Sequence, residues 1–237
     1  MFLKNGLLSI FFSTQCAGCK RYIKDFKYLY LCEECFEKIS APQAPFCQRC
    51  HKPLNNAVTQ ECHECGERKN HFSYSRSAGI YSDSLREALH MFKFEAKKGF
   101  IRVLGEYMIK NIDPVIFAGV DFIIPVPVSR ATLGEREYNQ TELLADYLGK
   151  KYKLSVKKSV VKIKETARQS TLERQQRLTN LRGAFKVDSK ALTLVAGKVV
   201  VVVDDIYTTG STINEMAKIL KKAGALEVRA VTLARAV

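Results

Sequence analysis

The sequence predicts an α/β protein: a mostly parallel sheet with helices on both faces, preceded by a small Cys-rich module. Three observations predict it. All eight cysteines lie between Cys16 and Cys65, as four C-x-x-C pairs, and the remainder of the chain has none. Beyond residue 72 strand-like and helix-like stretches alternate, the order that builds a parallel sheet. One stretch, Lys198–Val203 (KVVVVV), is apolar and β-branched without interruption, as a strand buried on both faces requires. With 237 residues and roughly 150 per domain as a prior, the chain divides into a module over 1–72 and an α/β domain over 73–237.

The elements follow in order. Arg21–Leu31 reads as a hairpin, and Phe36–Ile39 as a short helical patch beside Cys35. Ala78–Ser82 is a strand. Ser84 and Glu87 form an S-x-x-E box that opens a helix through about Ala96. Val103–Ile112 is helical. Asp121–Val128 (DFIIPVPV) is a continuous apolar run, hence a buried strand. Asn139–Tyr152 has helical spacing at Leu143, Leu144, Tyr147 and Leu148. Leu154–Ile163 is a basic strand. Thr212–Ala223 is a helix closed by Gly224, and Leu226–Ala234 is the final strand.

The cysteine spacing carries a metal. Each tight C-x-x-C turn presents two sulfurs, and a tetrahedral zinc ion takes two such turns. Cys16, Cys19, Cys32, Cys35, Cys47, Cys50, Cys62 and Cys65 therefore make two structural zinc sites. Sequential pairing puts the first four on one ion and the last four on the other; the gaps of 12, 11 and 11 residues leave interleaved pairing open. With every cysteine paired, His51 and His63 read as surface residues. Four thiolates leave no open position for a catalytic water, and a module this small needs the metal to fold. Between the cysteines, Lys20, Arg21, Lys24, Lys27 and Arg49 interleave with Tyr22, Phe26, Tyr28 and Tyr30. That mixture suits single-strand stacking and equally a face packed on the second domain.

Composition narrows the class. At 46% apolar and 26% charged the chain is neither disordered, collagenous nor coiled coil. The Leu7–Phe12 run is short for an export signal and is read as part of an amphipathic N-terminal segment, with peripheral membrane association as one outcome. No run of 18 apolar residues occurs, so the expectation is a cytoplasmic protein. The net charge of +14 points to polyanionic partners. The first 70 residues hold 10 basic and 7 acidic groups, so the positive field belongs to the second domain. Its densest stretch, Gly149–Arg182, has 7 Lys, 4 Arg and 2 Glu. Lys150, Lys151, Lys153, Lys157, Lys158, Lys162 and Lys164 could track a nucleic-acid backbone there.

Val199–Thr212 (VVVVVDDIYTTGST) is a buried strand ending in two acids, then a loop of small and hydroxyl residues, then a helix. Ligands of open α/β sheets bind at strand C-termini. Loop amides at a helix N-terminus suit a phosphate. Asp204 and Asp205 would repel that phosphate but suit sugar hydroxyls, a division that fits ribose 5-phosphate.

This string resembles the phosphoribosyl pyrophosphate (PRPP) motif of type I phosphoribosyltransferases. Together with the C-x-x-C module it resembles the ComF family of competence proteins. Ile124–Arg130 (IPVPVSR) stands where that family's pyrophosphate loop is expected, Arg136–Gln140 (REYNQ) resembles R-G-F-N-Q, and Thr166–Phe185 resembles its basic mobile loop. Glu137 departs from the family, which usually has Gly there. The resemblance implies that Asp204 and Asp205 hold ribose hydroxyls. It implies that Thr208, Thr209, Gly210, Ser211 and Thr212 hold the 5′-phosphate, with Ile206 and Tyr207 inside the same motif. It places Val128, Ser129 and Arg130 at the pyrophosphate, and Arg168, Gln169, Arg174 and Arg177 in a loop that folds over it. It implies Mg²⁺ accompanying PRPP, a role in natural transformation at the step that handles incoming single-stranded DNA, and contacts with other proteins of the uptake machinery. Two further functions compete: an active phosphoribosyltransferase with an unknown acceptor, and a PRPP-sensing regulator.

Overall fold

The computed structural model of the chain describes residues 15–23, 30–94, 98–165 and 180–237. The expectations on Met1–Thr14, on hairpin residues 24–29, on helical residues Glu95 and Ala96, and on loop residues Arg168, Gln169, Arg174 and Arg177 lie outside the described residues.

Two short helices, α1 (Glu33–Glu37) and α2 (His63–Glu67), each begin inside a C-x-x-C pair. Then come β1 (Ser75–Ile80), α3 (Asp83–Phe94), α4 (Phe100–Asn111), β2 (Phe122–Pro125), α5 (Arg130–Arg136), α6 (Gln140–Tyr152), β3 (Ser155–Val156), β4 (Val160–Lys162), β5 (Phe185–Val187), α7 (Leu192–Val195), β6 (Val199–Tyr207), α8 (Ser211–Lys222) and β7 (Glu227–Arg235). Five strands form one sheet in the order β1-β7-β6-β2-β3, parallel throughout. β4 and β5 pair antiparallel beside it.

Strand β6 shows why the sheet is covered on both sides. Successive side chains alternate between faces. Val201 and Val203 join Ile123, Val231 and Leu233 under α3, α4 and α6, which contribute Leu89, Phe92, Leu104, Met108 and Leu148. Val200 and Val202 join Ile124, Val228 and Ala230 under α8, through Ile213, Met216 and Leu220. Each such fully buried aliphatic side chain stabilises the fold by about 1.5–3 kcal/mol.

The cysteine module is built into both cores. Its first half docks on α3 and α4: Tyr30 stacks on Phe100 at 4.9 Å, and Phe36 meets Tyr107 edge-on at 5.6 Å. The second half covers the outer edge of β1. The Ser75 N–H donates to the Arg49 carbonyl at 2.7 Å, and the Ser77 N–H donates to His51 Nδ1 at 3.1 Å. This corrects the surface reading of His51, which is buried and caps a sheet edge; His63 is exposed.

Other expectations are also revised. The single strand over 154–163 is broken into β3 and β4, because Pro125 has no N–H to extend the β2–β3 ladder. Helix α3 starts two residues early: the Ser82 carbonyl accepts from the Leu85 and Arg86 N–H groups. Ser84 and Glu87 serve the module instead, Ser84 bonding the Cys35 sulfur and Glu87 lying 3.9 Å from Lys20. Helix α5, absent from the sequence reading, follows β2 and is capped by Ser129, whose Oγ accepts from the Thr132 N–H at 3.2 Å.

Glu137 ends α5 at φ 63°, in the left-handed region. A side chain there costs about 1 kcal/mol that glycine avoids. Glu137→Gly is therefore expected to raise stability by about 0.5–1 kcal/mol, less what the freer unfolded chain takes back. A urea midpoint that falls would show that the glutamate has a compensating contact.

Candidate functional site

Two cysteine groups and one cleft carry the chemistry. Cys16, Cys19, Cys32 and Cys35 gather as one group, and Cys47, Cys50, Cys62 and Cys65 as another, each with its sulfurs within 4.8 Å of one another. The pairing is sequential. The Cys19–Cys32 sulfurs are 3.8 Å apart and the Cys50–Cys62 sulfurs 3.7 Å. A tetrahedron with Zn–S bonds of about 2.3 Å has edges of about 3.8 Å, so both groups fit zinc.

The cleft opens where β6 ends. A cavity of about 510 Å³ is lined by Asp204, Asp205, Ile206, Thr208 and Thr212 from β6 and the loop after it. Val126, Pro127 and Val128 line it from the loop after β2, and Thr132 and Arg136 from α5. Tyr81, His90, Lys93 and Phe94 reach it from the α3 side, and Lys162 from β4.

The two acids differ. Asp205 pairs with Lys93 at 2.7 Å, both side chains about 15% exposed. Asp204 is buried, and its Oδ1 accepts from the Asp205 N–H at 2.9 Å. Burial, then the neighbouring Asp205 charge, push the Asp204 carboxyl up to about 7; Lys93 and Lys162 act against this. Burial lowers the pKa of Lys162. The cleft thus sets three cations, Lys93, Arg136 and Lys162, around a carboxylate pair, an arrangement suited to a ligand with both hydroxyls and anionic groups.

The loop closes over α8. Gly210 is the N-cap at φ 76°, and Thr209 Oγ1 accepts from the Ser211 N–H at 3.4 Å. A Cβ at Gly210 would lie 2.1 Å from the Tyr207 hydroxyl oxygen, so only glycine fits. The positive end of the dipole of this 12-residue helix lies at the loop whose Thr208 and Thr212 line the cleft.

The structure separates the predicted residues. Asp204, Asp205, Ile206, Thr208, Thr212 and Val128 line the cleft. Thr209 and Ser211 are buried within the loop, hydroxyl to hydroxyl at 3.1 Å. Tyr207 lies beneath the loop, 1% exposed and edge-on to Phe72 at 6.4 Å, where it supports rather than lines. Ser129 is the α5 cap and Arg130 an exposed first-turn residue. Lys162, grouped by sequence with the nucleic-acid lysines, faces the cleft, because β4 turns it inward opposite Phe185. Lys150, Lys151, Lys153, Lys158 and Lys164 are exposed, Lys157 partly so, and Lys158 pairs with Glu142 at 2.6 Å. Sequence reasoning missed Lys93, His90, Phe94 and Arg136 as cleft residues.

Comparison with known proteins agrees with this anatomy. Residues 7–66 match the model of the double zinc ribbon domain, and residues 138–236 that of the phosphoribosyl transferase domain. The fold and its cleft thus define a phosphoribosyl transferase-type domain joined to a double zinc ribbon. The chain is 29% identical to Competence protein F of Haemophilus influenzae over 238 residues, covering 98% of this chain and 92% of that protein. It is 26% identical to Competence protein ComFC of Streptococcus pneumoniae over 215 residues, 86% of this chain and 87% of the relative. It is also 26% identical to the DNA utilization protein YhgH of Shigella flexneri over 210 residues, 86% of this chain and 90% of the relative. Over most of its length the chain is thus similar to proteins named for competence and DNA utilization. Among the described residues no helix is long and apolar enough to cross a membrane.

Proposed function

We propose that the protein is a cytoplasmic competence factor that handles incoming single-stranded DNA and binds PRPP in the cleft at the end of β6. The observation that carries this reading is the adjacency of the Asp204–Asp205 pair to the Gly210-capped start of α8, in one cavity of about 510 Å³. In this reading Asp204 and Asp205 accept hydrogen bonds from the ribose hydroxyls, and the loop from Thr208 to Thr212 takes the 5′-phosphate on its amides and hydroxyls. Val128, at the cleft wall, and the neighbouring Arg130 flank the pyrophosphate, with Lys93, Arg136 and Lys162 supplying positive charge. Mg²⁺ supplies further neutralisation of the pyrophosphate when bound. The zinc ribbons are structural. The names of the relatives, which speak of competence and DNA utilization, support the biological role.

Calorimetry with PRPP and Mg²⁺ tests the site, with micromolar binding expected and no heat at saturating ligand as the result against it. The same mixtures, supplied with bases and single strands and scored for pyrophosphate release, decide whether binding is accompanied by transfer. Release with one acceptor would make the protein a working phosphoribosyltransferase; a response to PRPP without release or DNA binding would make it a regulator.

The exposed lysines at the end of α6 are the proposed DNA contacts. Changing Lys150, Lys151 and Lys153 together to Gln removes three candidate phosphate partners. The salt slope of log affinity for single strands should fall by about 2, at about 0.7 per contact. A slope equal to that of the unmodified protein would move the DNA site elsewhere.

A further inference from the structure

Arg235, at the end of β7, is the largest fully buried side chain among the described residues, 1% exposed. A buried guanidinium needs a counter-charge. Among the described residues no carboxylate lies within ion-pair distance of it. Its Nη1 donates to the carbonyls of Tyr207 at 3.1 Å and Thr208 at 2.7 Å, and its plane lies over the Tyr207 ring at 4.3 Å. Its Nη2 points the other way, 3.6 Å from Cys50 Sγ. Arg235 therefore spans from the second cysteine group to the backbone that begins the phosphate loop.

A second arginine makes a parallel link. Arg68 stands just after α2, three residues beyond Cys65. It donates to the Thr209 carbonyl, and its Nη2 donates to the Tyr207 hydroxyl at 3.1 Å. The next residues are stitched to α8: Asn214 accepts from the His71 N–H at 2.7 Å and donates to the Lys69 carbonyl at 3.2 Å. Three consecutive carbonyls, that of Tyr207 at the end of β6 and those of Thr208 and Thr209 in the loop, are thereby held by two arginines, one in contact with Cys50 and one just after Cys65. A peptide whose carbonyl is held on one side directs the following N–H to the other. The first cysteine group makes no such contact among the described residues; it packs under α3 and α4.

Four thiolates on one Zn²⁺ carry a net charge of −2. We infer that the second zinc centre is the counter-ion of Arg235, and that through Arg235 and Arg68 it sets the phosphate loop. Both arginines are positioning residues for the ligand, touching the loop from behind and not the cleft. The inference rests on the PRPP reading of the cleft and adds to it a role for one of the two metals.

The test uses the full chain loaded with zinc, and in parallel with Co²⁺, whose thiolate charge-transfer bands report on the sulfur environment. In the unmodified protein, saturating PRPP with Mg²⁺ should shift those bands, because tightening of the loop alters the Arg235–Cys50 contact. Arg235→Gln should retain two metals per chain, weaken PRPP on the order of 10–100-fold, in line with loss of charge-assisted hydrogen bonds, and abolish the band shift. Arg235→Lys, which restores the charge, should recover part of the affinity. Arg68→Gln, at a partly exposed position, gives the same test with a several-fold loss should the Arg235 variant not fold. If the unmodified protein binds PRPP and Arg235→Gln or Arg68→Gln binds it equally well, the coupling is refuted while the cleft assignment stands. Bands that ignore saturating ligand likewise refute it. If the unmodified protein binds no PRPP, the cleft assignment itself fails and the coupling with it.

Discussion

Replacing both acids, Asp204→Ala with Asp205→Ala, is expected to weaken PRPP binding by at least two orders of magnitude and leave the fold intact. Each carboxylate loses charge-assisted hydrogen bonds to ribose hydroxyls, at about 1.5–3 kcal/mol apiece. The native state gains little from Asp204, and the loss of Asp205 leaves Lys93, its partner at 2.7 Å, facing the open cleft. Asp204 is a buried acid whose pKa is raised from the ordinary value of 3.8 to about 7 by burial and by Asp205. Between about pH 4 and pH 7 the unfolded chain is ionised while the native chain keeps its proton. Stability from this group is thus complete below about pH 4 and is lost as the pH rises through about 7, at up to about 1.4 kcal/mol per pH unit. Asp204→Asn should flatten that decline, measured as urea midpoints at pH 5 and pH 7.5. Unchanged calorimetric affinity in the double variant would remove the cleft from the PRPP assignment. A decline of equal slope in Asp204→Asn would mean that another group titrates.

Local chemistry was legible in the sequence; side-chain reach was not. The C-x-x-C turns identify metal ligands because two sulfurs three residues apart meet one ion whatever surrounds them. The run from Val199 to Thr212 identifies strand, acid pair and helix start because each signal lies within a few residues of the next. Lys93 is different. It sits more than a hundred residues before Asp205, in an amphipathic helix where any lysine reads as solvated, and only the packing of α3 beside the end of β6 turns it onto the acid. Lys162 fails for the converse reason: six neighbouring lysines made it look exposed, and the β4–β5 pairing turns it inward. His51 lay beside a cysteine pair, where a metal or surface role was the natural reading, and its task is to cap a sheet edge 26 residues away. Arg235 ends an ordinary buried strand, and nothing in AVTLARAV marks it as the link between a cysteine group and a loop.

Metal removal is expected to have an effect of comparable size, and to travel further than the module. Elemental analysis should find two zinc ions per chain, one for each cysteine group; a value near one would refute one of the sites. Structural zinc contributes on the order of 10 kcal/mol to the folding of small modules. Here the two groups also sit in the two cores: Cys16 and Cys35 lie among Leu85, Leu89 and Phe36, and Cys47, Cys50, Cys62 and Cys65 among Phe72, Tyr207 and Ala230. Chelation therefore removes one wall from each side of the sheet, and a two-step unfolding with an undisturbed α/β domain is not expected. Amide exchange locates the damage. Ser75 and Ser77 donate their N–H groups to Arg49 and His51 of the second ribbon, so in the chelated protein these amides should lose protection first. Val201 and Val202, paired to β2 and β7 in the sheet centre, should keep theirs longest. Equal protection at Ser75 and Ser77 with and without metal would show that the ribbon holds the β1 edge by packing alone.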